Sequence, residues 1–216
     1  GKSEVVEFTY SGALKWVRWK MNGNGWADMD YEYELNGSYP FAGVSFSYPE
    51  NFVLGVKWLG KGPYRQWKNR LQGTPVNVYQ NLYNNTHTSY NPIVYPEFKG
   101  YYGEVSWMEF STVEGKFYVA SKDTGLYVRL FDFYGLSGAR PHPELPVGNL
   151  SFLDCIPPIG TKLALNISYN TANLGPQSEP TKISGPVRRS LSFYFGLPKV
   201  TNSKETYSRP EIDQVF

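Results

Sequence analysis

The sequence has little of the chemistry that enzymes most often use for catalysis or metal binding. Its 216 residues include one cysteine, Cys155, and two histidines, His87 and His142. A single cysteine excludes a disulfide within the chain, and its apolar surroundings (152–156) predict a buried side chain. No Cys or His pair has zinc-ligand spacing, so we expect no structural metal and no cofactor. An oxygen-ligated calcium or sodium site stays open, because its ligands come from scattered residues.

Concentrated charge and long apolar runs are also missing. Charged residues make up 19% of the chain, and the formal net charge of +2 is spread along it, which argues against a nucleic-acid-binding face. We interpret the basic pair Arg188 and Arg189 as part of a solvated turn. No apolar run reaches the length of a membrane span, so we expect no membrane partner. Gly1 has no preceding methionine and no signal peptide is visible, which leads us to expect that the natural N-terminus is missing.

Aromatic residues, in contrast, are abundant. The 18 Tyr, 13 Phe and 6 Trp make up 17% of the chain. Aromatic side chains favour strands and fill sandwich cores, and they also provide the flat faces on which sugar rings stack. We therefore expect most of them in a core and a minority in contact with a ligand.

Alternation with period two is the dominant pattern. In residues 29–35 apolar or aromatic side chains alternate with acidic ones, which predicts a strand with one buried face. Residues 16–21 alternate in the same way, and the Asn/Gly run 22–25 between them predicts a turn. No helix of three turns is indicated. Further strands are predicted over residues 4–10, 41–48, 52–59, 76–79, 104–110, 117–121, 126–133, 150–155, 162–169 and 191–195.

This arrangement of many short strands predicts an all-β fold, an antiparallel β-sandwich. Two polar, proline-containing stretches, 84–96 and 135–148, are predicted to be a long loop and a connector. We assign residues 1–196 to the sandwich and residues 197–216 to a polar C-terminal tail.

Catalytic signatures are weak. A Ser-His-Asp arrangement requires a histidine held between two partners, and neither histidine lies in such a signature. Glycoside hydrolysis requires two carboxylates that flank the scissile bond, and nothing selects a pair among the 19 acidic residues. We therefore nominate no catalytic residue.

The densest feature is residues 58–70, where glycines and a proline follow a predicted strand and are succeeded by tryptophan, tyrosine and arginine side chains. The glycines and the proline indicate an unusual backbone. One interpretation is a surface loop that presents aromatic faces and polar groups to a sugar. The other is a loop that closes one end of the sandwich or docks against another domain.

The same segment carries a resemblance to a known family. Five residues match a pattern that reads W-x-G-x-G-P-x-E-x-Y-x-D-R, namely Trp58, Gly60, Gly62, Pro63 and Arg70. Arg65, Trp67 and Asn69 depart from this pattern at its Glu, Tyr and Asp positions. A second block, residues 95–107, and the strand at 126–130 follow in the family's order. The chain thus resembles the C-terminal domain of family 2 glycoside hydrolases of the β-galactosidase type.

The resemblance implies a galactose-mutarotase-like supersandwich in a piece of a larger enzyme. The sugar-binding domain, the immunoglobulin-like domains and the catalytic barrel with its two glutamates would then be absent from this chain, and the first strands of the supersandwich would be absent too. In the family a late loop delivers an aromatic residue to the active site. The corresponding residues 156–161 contain no tryptophan, and Ile159 or Thr161 would line the pocket instead. A parent enzyme of this kind would be periplasmic or extracellular.

We therefore predict a non-catalytic domain that supports the catalytic barrel of a β-galactosidase-like glycoside hydrolase and contacts an oligo- or polysaccharide. The carbohydrate-binding or interdomain contacts are expected at Trp67, Asn69, Arg70, Glu97, Tyr101 and Tyr102. One alternative is a self-sufficient carbohydrate-binding module. Another is a mutarotase-like enzyme, which would need a general acid and base and would have to use His87 or His142.

Overall fold

The structure is a computed structural model that describes residues 3–83, 99–130, 147–159 and 177–196. Within these ranges the chain forms eleven β-strands and two short 3₁₀ helices, Glu50–Phe52 and Lys68–Arg70, with no longer helix and therefore none that could cross a membrane. The strands are β1 (Glu4–Thr9), β2 (Leu14–Met21), β3 (Trp26–Tyr39), β4 (Ala42–Phe46), β5 (Val53–Gln66), β6 (Val76–Asn81), β7 (Tyr101–Thr112), β8 (Gly115–Ser121), β9 (Tyr127–Leu130), β10 (Leu150–Cys155) and β11 (Thr181–Tyr194).

The predicted all-β class is confirmed. Every predicted strand within the described residues corresponds to an observed one, and the predicted strand at 162–169 lies outside them. The loop predicted at 84–96, most of the connector at 135–148 and the tail at 197–216 also lie outside. Three strands are much longer than predicted, since β3 spans Trp26–Tyr39, β5 continues to Gln66 and β11 already begins at Thr181.

The strands form two layers. The larger layer has the order β1-β2-β3-β11-β8-β7-β5-β6, and the smaller layer has the order β9-β10-β4; every pairing is antiparallel. The only pairing between the layers in the described part of the chain joins Tyr102 of β7 to Val128 of β9. We call the side of the larger layer that faces β4, β9 and β10 the inner face, and the opposite side the outer face.

The core lies between the inner face and the smaller layer. Phe193 of β11 packs against Phe152 of β10 and Phe46 of β4, with ring centroids 5.8 and 6.4 Å apart. The aromatic residues expected in a core are there. Six of the largest fully buried side chains are aromatic: Trp58, Tyr31, Tyr101, Tyr102, Phe110 and Phe152. Burial of this much apolar surface is the main stabilisation of such a sandwich.

Strand β3 shows why the alternation produces this arrangement. Met29, Tyr31 and Tyr33 are buried on the inner face, while Asp28 and Asp30 lie on the outer face and accept hydrogen bonds from serine hydroxyls of β11. The turn predicted between β2 and β3 is present, closed by a hydrogen bond from the Gly25 N–H to the Asn22 carbonyl (3.2 Å). Cys155 is buried, as predicted, and burial raises the pKa of its thiol to about 11.

Candidate functional site

The segment 60–66, predicted to be part of a loop, is a strand. β5 passes through it with irregular register against β7, between Leu59 and Lys61 and again between Lys61 and Gln66. Gly60 is required by close packing, because a Cβ there would lie 2.7 Å from the carbonyl oxygen of Gly103. The loop prediction is wrong over these residues, although the unusual backbone that the glycines indicated is present as strand irregularity.

Behind this irregular strand, Tyr102 lies between two side chains of β5. The Trp58 ring meets it edge-on at a centroid distance of 4.8 Å, and the Arg65 guanidinium carbon lies 4.7 Å from its ring centroid. Arg65 Nη2 also donates to the Tyr102 hydroxyl over 2.9 Å. The two rings are buried and Arg65 is half-buried; the stack holds the end of β5 against β7, which makes Tyr102 an internal contact in this fold.

Trp67 and Tyr101 form a second buried group next to the first. Their rings are perpendicular at 5.5 Å, and Leu153 and Ile156 complete the cluster. Trp67 is 5% exposed and Tyr101 is fully buried, so burial raises the pKa of the Tyr101 phenol above its usual range. The two rings connect the end of β5 to the end of β10.

Asn69 contacts the late segment that the family resemblance singled out. Its side-chain amide donates to the Ile159 carbonyl and accepts from the Ile159 N–H, both over 3.0 Å. Beside it, the Lys68 N–H donates to the Pro157 carbonyl over 3.0 Å. A side-chain amide that mimics a strand partner in this way holds residues 157–159 against the 3₁₀ helix Lys68–Arg70.

The six predicted contact residues therefore have different environments. Trp67, Tyr101 and Tyr102 are packed inside the protein and, in this structure, present no open ring face to a sugar. Asn69 is half-buried and bonded to Ile159, Arg70 is exposed, and Glu97 lies outside the described residues, as do His87 and His142. Their role in carbohydrate binding stays a prediction.

A buried polar network that the sequence analysis did not predict connects β3, β10 and β11. Arg189, expected in a solvated turn, lies in the middle of β11, and that expectation is wrong. Its guanidinium donates twice to Asp154 of β10 and once to the Thr124 carbonyl (3.1 Å), and the Tyr33 hydroxyl donates to the other Asp154 oxygen over 2.6 Å. Burial and this hydrogen bond raise the pKa of Tyr33 far above its usual range.

The signal that identifies this network is present in the sequence. Ile183, Val187, Leu191 and Phe193 share one parity with Arg189, so alternation places the arginine on the inner face. Only an acidic partner makes that position tolerable for a guanidinium. The network joins the two layers of the sandwich, which gives it a structural use.

The residues that the structure describes contain no group of three His, Cys, Asp or Glu side chains that could hold a metal ion.

Among curated proteins, no sequence matches this chain. The family model described as beta galactosidase small chain matches residues 3–177, which include both aromatic clusters and the Arg189 partner Asp154. The match spans most of the 216 residues, and the chain therefore belongs to the β-galactosidase small-chain family.

Proposed function

We propose that this chain is a non-catalytic β-sandwich domain that packs on the catalytic part of a β-galactosidase-type glycoside hydrolase and supports it. The family's description as a small chain supports an accessory position beside a larger polypeptide. The observation that carries the proposal is an apolar strip on the inner face that the smaller layer leaves uncovered.

This strip, the edge patch, consists of Val6, Phe8 and Met21. The three side chains share the inner face with the core, because Val6 and Phe8 pair with Trp19 and Val17. They are 48%, 50% and 47% exposed, in contrast to the buried residues of β3 beside them. An apolar surface continuous with the core marks a contact site for another protein surface.

Carboxylates of the described residues that are bonded to a cation or a hydroxyl have structural uses, which supports a non-catalytic role. Asp154 is held by Arg189 and Tyr33 inside the sandwich. Glu104 is paired with Lys61 over 2.6 Å across β5 and β7. A retaining glycosidase needs one carboxylate free to attack the sugar and one free to donate a proton, and carboxylates fixed by cations in strand pairs are poorly suited to either task.

The experiment combines the 216-residue chain with the large chain of a two-chain β-galactosidase. We expect no hydrolysis of o-nitrophenyl β-galactoside by the small chain alone, and a stable complex on size-exclusion chromatography after mixing. Phe8→Asp should weaken that complex at least about tenfold, because it puts a charge into an apolar contact.

The matched control is Val5→Asp on the same strand. Val5 is 57% exposed but lies on the outer face, so its variant should form the complex like the wild type. Hydrolysis by the small chain alone would refute the non-catalytic role. Equal complex formation by the Phe8→Asp and Val5→Asp variants would refute the contact through the edge patch.

Sugar contact near the end of β5 is a second part of the proposal. Among the described residues of the predicted set, Arg70 is the exposed one, and the buried rings of Trp67 and Tyr101 support the backbone beneath it. Arg70→Ala should lower the affinity of the assembled enzyme for its substrate without unfolding the domain. An unchanged KM in the complex would exclude this contact.

A further inference from the structure

The outer face carries three aromatic side chains in one cross-strand row. Tyr194 of β11 pairs with Trp26 of β3 on one side and with Tyr118 of β8 on the other. The ring centroids are 5.1 Å apart for Trp26 and Tyr194 and 6.0 Å apart for Tyr194 and Tyr118. We call these three residues the outer row.

The outer row is on the opposite side of the sheet from the core. The sequence neighbours Ala27, Phe193 and Val119 are all buried on the inner face, so the row side chains point away from it. Trp26 is 37% exposed, and Tyr194 and Tyr118 are half-buried. In the described residues the smaller layer covers only the inner face, so the row faces outward.

Hydrogen-bonding groups border the rings. The Tyr118 hydroxyl donates to Glu109, its register partner on β7, and the same carboxylate accepts from Lys116 over 2.8 Å. At the other end of the row the Asn24 side chain accepts a hydrogen bond from the Trp26 N–H over 3.3 Å. Flat apolar faces bordered by such groups complement a sugar, which has C–H faces and hydroxyl edges.

Charge and shape narrow the class of ligand. The acids beside the row are paired, Glu109 with Lys116 and Asp28 with Lys122, so the surface favours a neutral chain. A protein partner would have to desolvate these pairs, whereas sugar hydroxyls can hydrogen-bond to them. Successive rings are tilted by 42° and 49°, which suits a single twisted chain better than a flat crystalline surface.

We propose that the outer row, Trp26, Tyr194 and Tyr118, binds a soluble, neutral oligosaccharide chain laid across β3, β11 and β8. This site is separate from the residues near Trp67 and lies on the opposite face from the edge patch. It does not require the contact with a catalytic chain.

The test uses the 216-residue chain alone, with affinity electrophoresis in gels that contain β-galactan, arabinogalactan, xylan or mixed-linkage β-glucan. Calorimetric titration with oligosaccharides of the retarding polysaccharide then measures affinity. We expect retardation by at least one neutral polysaccharide. Trp26→Ala should weaken binding about tenfold, the factor that corresponds to ~1.4 kcal/mol.

A second variant and a control keep the test decisive if Trp26→Ala folds poorly. Tyr118→Thr removes a ring from the row while threonine preserves strand propensity, and it should weaken binding by a similar factor. Trp16→Ala removes a partly exposed tryptophan from the outer face of β2, where Arg18 lies 5.5 Å from its ring centroid, and should bind like the wild type. Circular dichroism verifies folding.

Two results would overturn the proposal. One is the absence of retardation and of heat across the whole panel for the folded wild type. The other is sugar binding that the Trp26 and Tyr118 variants retain in full, which would place the sugar elsewhere on the chain. Because no large chain is present, neither result bears on complex formation through the edge patch.

Discussion

Replacing Arg189 by methionine tests whether the buried network holds the two layers together. The Arg189 side chain is 9% exposed and that of its partner Asp154 is 12% exposed. Arg189→Met leaves the carboxylate buried without its cation, a change that typically destabilises a protein by about 3–5 kcal/mol. For a chain of this size we expect a fall in Tm of roughly 6–20 °C.

The same structure predicts that a second substitution partly rescues the first. In the double variant Arg189→Met, Asp154→Leu neither charge remains, and the main loss is the acceptor for the Tyr33 hydroxyl, worth about 1–3 kcal/mol. The double variant should therefore be more stable than Arg189→Met alone. Such non-additivity is the signature of two groups that interact directly.

The adjacent arginine is the matched control. The Arg188 side chain is 75% exposed on the outer face and pairs with Glu32, so Arg188→Met should change the free energy of unfolding by no more than about 1 kcal/mol. Urea denaturation, followed by tryptophan fluorescence and far-UV circular dichroism, measures all three variants. Equal destabilisation by Arg188→Met and Arg189→Met, or a double variant less stable than Arg189→Met, would refute the reasoning.

Three further predictions concern the packing and the surface of the sandwich. Gly60→Ala should destabilise the domain by about 1–3 kcal/mol, because the added Cβ would overlap a backbone oxygen. Gly12→Ala is the control: its Cβ would meet no atom within 4 Å, so its Tm in a thermal melt should stay near the wild-type value. Trp67→Ala should cost about 3–5 kcal/mol in urea denaturation because it empties a buried site. The hydrogen bond from Lys116 is the main cause that lowers the pKa of Glu109. A carboxyl whose pKa is lowered in the folded state stabilises the fold above its ordinary pKa, and that stabilisation is lost as the pH falls through the folded-state pKa. Glu109→Gln should therefore lower Tm at neutral pH, and its difference from the wild type should shrink as the pH falls below the ordinary glutamate pKa of about 4.3.

Much of the strand content could be predicted because alternation is a local signal. Residues 29–35 and 17–21 alternate without interruption, and the turn between them has the asparagine and glycine that a tight turn requires. Each of these stretches carries its own pattern, so no knowledge of distant residues is needed. The prediction succeeded for the same reason across most of the remaining strands.

The long strands β5 and β11 could not be predicted in full because they contain residues that ordinarily break strands. β11 includes Gly185 and Pro186, yet it pairs with β3 along its whole length. The half that carries Pro186 pairs only with β3 among the described residues, so the missing N–H leaves no strand partner unpaired on the other side. Only the presence of the neighbouring strand decides between loop and strand at such positions.

The sequence singled out the segment near Trp67 but did not show the environment of its residues. The residues near Trp67 stood out by composition, but composition does not show that Asn69 bonds to Ile159, 90 positions later, or that Tyr101 and Trp67 face each other. Conversely, nothing in the local sequence brings Trp26, Tyr194 and Tyr118 into one row.

The sequence by itself determined the class of fold and the two-sided character of its strands, because the period of side-chain alternation is a property of each strand alone. Tertiary structure decided which side of each strand is covered. Phe8 and Tyr31 share the inner face, yet Phe8 is half exposed and Tyr31 is fully buried, because the smaller layer covers β3 and stops short of β1. Coverage depends on which strands lie opposite one another, and that information is distributed over the whole chain.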